Sequence, residues 1–343
     1  MFNLKDLVRP NILSLKPYSS ARDEFKGSEG VFLDANENPY GTLNRYPDSY
    51  QKELKEKLSA YKNIPVKNIF IGNGSDEIMD LITRIFCNPG IDKSLNFTPT
   101  FGMYQVVSDI NNVELIKLPL DDDFQIKTDN LRSYLADDKL KLIFICTPNN
   151  PTGNCFNKKD IEFILKNFKG IVIIDEAYID FSTTGSWLKV LNQYPNLIIT
   201  QTLSKAWALA SARIGIAYAS KDIVKLLNKV KMPYNISKLN QEAALKALDN
   251  EPEFKRNIEI ILKEKVALIN VLNSFDIVKK IYPSDSNFLL VEFEDANDTY
   301  RRLVDLKVIT RNRHKLIDNC IRITVGTPDE NQTLINALKE MEL

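Results

Sequence analysis

The chain has only one histidine, His314, among its 343 residues. A Ser-His-Asp or Cys-His nucleophile would have to run through that residue, and a metal site built on two histidines is excluded. Cysteine is scarce too: Cys87, Cys146, Cys155 and Cys320 form no CxxC pair and no metal-ligand spacing. The opening MFNLKDLVRP lacks the apolar stretch of a secretory signal, and the two absences together point to a reducing cytoplasm. There is no net charge either. Lys+Arg and Asp+Glu both number 45, so bulk attraction to nucleic acid is not expected. The best apolar runs, residues 142–146 and 171–174, stop far short of the roughly 20 residues that a membrane-spanning helix needs.

What is present is ordinary globular material, 44% hydrophobic and 26% charged. At roughly 150 residues per domain, the length suits two domains with a large core. The first 40 residues, punctuated by Pro10, Pro17, Gly27, Gly30 and Pro39, hold no sustained helical period and read as an extended arm wrapping another domain or subunit. Over residues 48–61, Tyr50, Leu54, Leu58 and Tyr61 recur at helical spacing; residues 68–71 then read as a short strand. A glycine turn follows over 72–76 and leads into a helix over 77–86, where Ile78, Leu81, Ile82, Ile85 and Phe86 share one face. Apolar strands at 94–97, 113–118, 140–146, 170–174 and 197–200 continue the alternation that marks an α/β parallel sheet. Residues 171–174, apolar without a break, belong at its centre. Beyond about residue 220, a long helical stretch to residue 272, strands near 288–293 and 321–325 and a final helix read as a smaller α+β domain. The expected division is a large domain over 40–240, with the arm (1–39) and the small domain (241–343) apart from it. Asp121-Asp122-Asp123 reads as a solvated turn, and no metal site is expected.

An open α/β sheet places its ligand outside the carboxyl ends of its strands, so the residues after each apolar run carry the information. Asp175-Glu176-Ala177-Tyr178 follows one run; a desolvated carboxylate there would want a cationic partner, and the bland alternative is a helix cap or surface acid. Gln201-Thr202-Leu203-Ser204-Lys205 follows the next, where a Schiff-base lysine and a plain surface lysine both fit. Arg213 lies across a stretch of small residues and can fork onto a phosphate. The turn Gly74-Ser75-Asp76 offers backbone N–H groups at a helix start, or simply an N-capped helix. Thr147-Pro148-Asn149-Asn150-Pro151-Thr152-Gly153 is a turn by composition that presents an Asn amide at the sheet edge. Together these pieces ask for a phosphorylated cofactor with a pyridine ring, which pyridoxal 5'-phosphate satisfies.

The segments LKPYSSARDEF, LDANENPYG, LNRYPD, GNGSDEIMDLI, PTFGMY, TPNNPTGN, IIDEAYIDF, TLSKAWALASARIG and IRITVGT occur in this order along essentially the whole chain. In them the sequence resembles the fold-type-I pyridoxal-phosphate aminotransferases, and within these the histidinol-phosphate aminotransferases. The resemblance implies a large domain with a mostly parallel central sheet flanked by helices, plus a smaller α+β domain. It implies that Lys205 is the Schiff-base lysine and proton shuttle, that Asp175 pairs with the ring nitrogen, and that Asn150 and Tyr178 bond the ring hydroxyl oxygen. The phosphate would be held by the Gly74-Ser75-Asp76 turn, with Asp76 offering its N–H and not its carboxylate, and by Thr202, Ser204 and Arg213. Tyr46 would reach the phosphate of the neighbouring subunit of a homodimer. Phe101 stands where the family often has a tyrosine stacked on the ring; stacking survives that exchange and a phenol hydrogen bond does not, with Tyr104 nearby. For substrate the likeness points to Tyr18, Asn36, Arg311 and Arg322, with Arg313 two residues from Arg311. The implied reaction exchanges an amino group between histidinol phosphate and 2-oxoglutarate, giving imidazole acetol phosphate and glutamate in histidine biosynthesis. An aromatic or broad-specificity aminotransferase and a threonine-phosphate decarboxylase are the alternatives on the same fold. A cofactor-binding regulator would need an added basic DNA-binding module, which this neutral chain does not display.

Overall fold

The apolar runs pair into one seven-stranded sheet in the computed structural model, which describes residues 2–19, 21–25, 30–129 and 131–341. Gly27 of the arm and Ser20 of the LKPYSSARDEF segment lie outside the described residues. Strands β1 (Ile69–Asn73), β2 (Lys93–Thr98), β3 (Glu114–Pro119), β4 (Leu140–Cys146), β5 (Ile171–Asp175), β6 (Leu197–Thr202) and β7 (Ile214–Ala219) take the order β1-β7-β6-β5-β4-β2-β3. β7 runs antiparallel to both its neighbours, and the remaining pairs are parallel. β5 is the middle strand, as its unbroken apolar run requires: all five of its residues are buried. Its alternate residues feed two cores, Val172 and Ile174 on one face of the sheet, Ile171 and Ile173 on the other.

A second, antiparallel sheet of β8 (Val278–Ile281), β9 (Phe288–Phe293), β10 (Arg311–Asn312) and β11 (Cys320–Thr324) has the order β10-β11-β9-β8. Helices Glu251–Leu272, Ala296–Asp305 and Pro328–Met341 cover it through Leu268, Leu303 and Leu338, in a third apolar cluster. Among the described residues no helix is long and apolar enough to cross a membrane.

Several elements differ from the sequence expectation. β7 was not anticipated, because IGIAYA is half Gly and Ala and abuts the ARIG turn, which hides a strand that is nonetheless wholly buried. The long stretch to residue 272 is three helices, Lys221–Val230, Lys238–Asp249 and Glu251–Leu272. Pro233 interrupts the first gap, Ser237 caps the second helix by accepting from the Asn240 N–H, and Pro252 sits in the first turn of the third, where a missing donor costs nothing. The arm is not wholly extended: it holds short turns at Leu4–Asp6, Pro10–Ser14 and Ala21–Glu24. The helix expected from residue 77 already starts at Gly74, directly at the end of β1. The Asp121-Asp122-Asp123 stretch is the solvated turn it resembles, with the Asp121 carboxylate accepting from the N–H groups of Asp123 at 3.0 Å and Gln125 at 2.6 Å.

Candidate active site

The carboxyl ends of β1, β4, β5 and β6 and the start of β7 converge, so Gly74, Cys146, Asp175, Thr202 and Arg213 come together although up to 139 positions separate them along the chain. A cleft of about 460 Å³ opens there, and the second sheet supplies its far wall. Ser75, Asp76, Phe101, Asn150, Asp175, Tyr178, Thr202, Ser204, Lys205, Arg213, Arg311 and Arg322 of the expected residues line it. Arg311 and Arg322 are cross-strand partners on β10 and β11, and Arg313, two residues further on, falls on the same face and also lines the cleft. Arg311 and Arg313 thus both stand at the cleft.

One end of the cleft is a cradle for an anion. Gly74 has φ +77°, and a Cβ there would stand 2.7 Å from the Arg213 guanidinium. On the other side, a Cβ on Gly215 would lie 2.3 Å from the Gly74 carbonyl carbon and 2.4 Å from the Ser75 nitrogen. Two glycines thus let β7 and its arginine press against the N-terminus of helix Gly74–Phe86, where free N–H groups and the helix dipole favour negative charge. The Asp76 carboxylate, expected to stand aside, is instead ion-paired with Arg213 at 3.2 Å. With both side chains roughly 40 to 50% exposed, that pair is weak and an incoming dianion can compete with it.

In the middle, Asp175 is 2% exposed, and burial pushes its pKa up to about 6 against the pull of hydrogen bonds from Tyr104, Thr200 and the Ala177 N–H. A cation beside it would restore its charge. The Lys205 ammonium is 5.8 Å from the Tyr178 ring centroid, and its pKa is lowered by burial and then by the Arg322 and Arg213 charges, which favours the nucleophilic free amine. The Tyr178 hydroxyl accepts from the Asn150 amide at 3.2 Å, and Arg322 donates to the Asn150 side-chain oxygen. Three buried polar atoms in the cleft have no partner among the described residues: Ser204 Oγ, Arg313 Nε and Arg322 Nε. Burying them unpaired costs about 1–3 kcal/mol each, a cost that a polar ligand in the cleft would offset.

The chain matches the family description "Aminotransferase class I and II" over residues 26–338. The chain belongs to the class I and II aminotransferases. A histidinol-phosphate aminotransferase of Parabacteroides distasonis is 49% identical to it over 346 residues, covering 100% of both chains. The solved histidinol-phosphate aminotransferase of Clostridium acetobutylicum superposes with a TM-score of 0.80 at 26% identity, over 88% of this chain and 91% of that one. That of Sinorhizobium meliloti, solved in complex with pyridoxal-5'-phosphate, gives a TM-score of 0.80 at 22% identity over 87% and 83%.

The lining of this aminotransferase fits the same cofactor: a cradle for a dianion, an unpartnered buried hydroxyl at Ser204, a buried carboxylate in want of a cation and a lysine with a weakened proton share one cleft. Three expected residues lie elsewhere in the aminotransferase chain. Tyr18, 67% exposed, lines a separate pocket beside Tyr50 and Tyr234, and Asn36 and Tyr46 line another, where Tyr46 stacks on Tyr234 at 4.5 Å. The arm and the residues just after it, which carry them, are apolar for exposed chain, with Val31 and Leu33 each 88% exposed. Sequence reasoning missed Thr200 as a support of Asp175, Cys146 as part of the lining and Gly215 as the close-approach position. Only Gly215 left a signal, a glycine two residues beyond the candidate phosphate arginine.

Proposed function

We propose that this aminotransferase is a histidinol-phosphate aminotransferase, moving an amino group between histidinol phosphate and 2-oxoglutarate with pyridoxal 5'-phosphate as cofactor. The observation that carries the reading is the 49% identity, end to end, to a protein of that name. When bound, the cofactor's ring supplies an electron sink for the carbanion formed at the amino-bearing carbon. In this reading Asp175 holds the proton on the ring nitrogen, and Asn150 and Tyr178 bond the ring hydroxyl oxygen. The turn Gly74-Ser75-Asp76 with Thr202, Ser204 and Arg213 holds the phosphate, and Phe101 covers the ring. Lys205 would anchor the cofactor covalently and, once the substrate's amine has displaced it from that bond, its free amine would carry the proton of the substrate's amino-bearing carbon. Arg311, Arg313 and Arg322 lack a carboxylate partner, since no ion pair among the described residues engages them, and a guanidinium fork accepts either a phosphate monoester or a carboxylate. One pocket can thereby serve two unlike donors.

The exposed apolar arm supports a homodimer in which Tyr46 reaches the neighbouring phosphate site and Tyr18 and Asn36 meet substrate there. The division into a large domain over 40–240 and a small one over 241–343 with the arm, and a cytoplasmic location, belong to the same proposal. The test is an absorption spectrum of the protein with pyridoxal 5'-phosphate. The visible band should bleach with histidinol phosphate and return with 2-oxoglutarate. A band indifferent to histidinol phosphate overturns the substrate; release of carbon dioxide from threonine phosphate would replace it with the decarboxylase reading.

A further inference from the structure

Asp175 closes the end of β5 with two oxygens that have separate supports. Oδ1 accepts from the Thr200 hydroxyl and the Ala177 N–H, both at 3.2 Å, whereas Oδ2 accepts, among the described residues, from the Tyr104 hydroxyl alone, at 3.0 Å. Tyr104 is fully buried on helix Met103–Ile110 and does not line the cleft. Its ring is locked between Phe144, stacked at 4.9 Å and 11°, and Phe101, edge-on at 5.7 Å and 89°. The two aromatics of PTFGMY, three residues apart across the turn that leads into this helix, therefore divide the work. Phe101 faces the cleft, and Tyr104 reaches behind it to the carboxylate. Burial holds the phenol well above its usual pKa, so it donates throughout the working pH range.

We propose that Tyr104 is a positioning residue for transamination, whose phenol holds the Asp175 carboxylate in the orientation and ionised state that a protonated ring nitrogen requires. The inference rests on the cofactor reading above. Without the hydroxyl, Oδ2 loses its only donor among the described residues, in a group that is almost wholly buried; the ionised carboxylate is then disfavoured, and a proton shared with the ring nitrogen moves toward the carboxyl group. Thr200 and the Ala177 N–H cannot replace it, because both are committed to the other oxygen. The remaining ionisable groups around Asp175 are Asp76, Lys205, Tyr178 and Cys146, and a change at residue 104 leaves them in place.

Tyr104→Phe removes only the hydroxyl and keeps the stack on Phe144, so the fold is retained. Wild type, Tyr104→Phe, Asp175→Ala and the double variant are loaded with pyridoxal 5'-phosphate labelled with 15N in the ring. Affinity is read by absorbance and ring protonation by NMR. Tyr104→Phe should bind roughly tenfold more weakly, the fold-change of one hydrogen bond to a charged group, and shift the 15N signal toward the unprotonated form. In the Asp175→Ala background it should change neither readout. A wild-type signal and affinity in Tyr104→Phe, or an equal loss in the Asp175→Ala background, overturns the assignment. Failure of the wild-type protein itself to bind the cofactor or protonate its ring overturns the cofactor reading beneath it, and the two failures are told apart by the wild-type sample.

Discussion

Gly215 is the position where fold and candidate site are most tightly joined, and Gly215→Ala is the sharpest test of the cradle. The residue pairs with Gly72 on β1 and with Thr202 on β6, so it sits inside the sheet, with Thr202 of the candidate cradle on one side. A new Cβ would stand 2.3 Å from the Gly74 carbonyl carbon and 2.4 Å from the Ser75 nitrogen, all backbone, with no flexible side chain to swing away. Restoring ordinary contact demands about 1 Å of movement between β7 and the start of helix Gly74–Phe86. Overpacking of that kind costs about 1–3 kcal/mol of stability. The same displacement pulls the Ser75 N–H out of hydrogen-bond range of a bound phosphate; a lost charge-assisted bond is worth about 1.5–3 kcal/mol, or roughly 10- to 150-fold in affinity. The assay is paired: thermal unfolding of the apoprotein and titration of pyridoxal 5'-phosphate by absorbance. Gly102→Ala is the control, because a Cβ there meets nothing within 4 Å. If Gly215→Ala kept both the unfolding temperature and the cofactor affinity of the parent, the close approach of β7 to the Ser75 turn would not be what shapes the cradle.

Further outcomes follow from the same geometry. Lys205→Ala should retain cofactor binding through the phosphate cradle and lose transamination by at least a thousandfold; turnover near that of the parent, measured with histidinol phosphate and 2-oxoglutarate, would remove Lys205 from the chemistry. Arg322→Met should raise KM for the phosphorylated substrate at least tenfold, because the side chain is a half-buried cation held against Asn150; an unchanged KM in steady-state kinetics would place the substrate anion elsewhere. Burial raises the folded-state pKa of Asp175 to about 6 and of Glu176 to about 7, against ordinary values of 3.8 and 4.5. The folded apoprotein therefore keeps protons that the unfolded chain releases, and stability should fall as pH rises from about 4.5 to 7, by at most about 1.4 kcal/mol per pH unit per group. Glu176→Gln, which preserves an oxygen acceptor for the Ser186 hydroxyl or the Trp187 N–H, should flatten that slope in urea unfolding at pH 5 and 7.5; an unchanged slope would mean Glu176 stays ionised.

Much of the fold was legible because burial on both faces of a parallel strand leaves a one-dimensional trace: β4 and β9 match their apolar runs residue for residue, and β5 and β6 are found within one or two. The central place of β5 followed from the same trace. The polar residues just past those strands were legible for a related reason, since only at strand ends can a core strand present chemistry, and Asp175, Thr202, Ser204 and Lys205 all line the cleft. β7 was not legible, because a strand of small residues carries little hydrophobic signal, and its reversed direction depends on pairing, which no local pattern encodes.

Tertiary structure alone decided the rest. That Arg311, Arg313 and Arg322 share one wall depends on the β10–β11 register; that Tyr104 serves Asp175 while Phe101 faces the cleft depends on where a helix packs against β4 and β5. That Tyr18, Asn36 and Tyr46 stand off the chain's own cleft depends on the path of the arm and of the residues just after it. Each of these is a contact between residues distant in the chain, and its cost or gain arises only when water is removed from between them. Periodicity and strand-end chemistry are properties of neighbouring residues, so the sequence alone carries them; register, approach and partner are properties of the packed molecule.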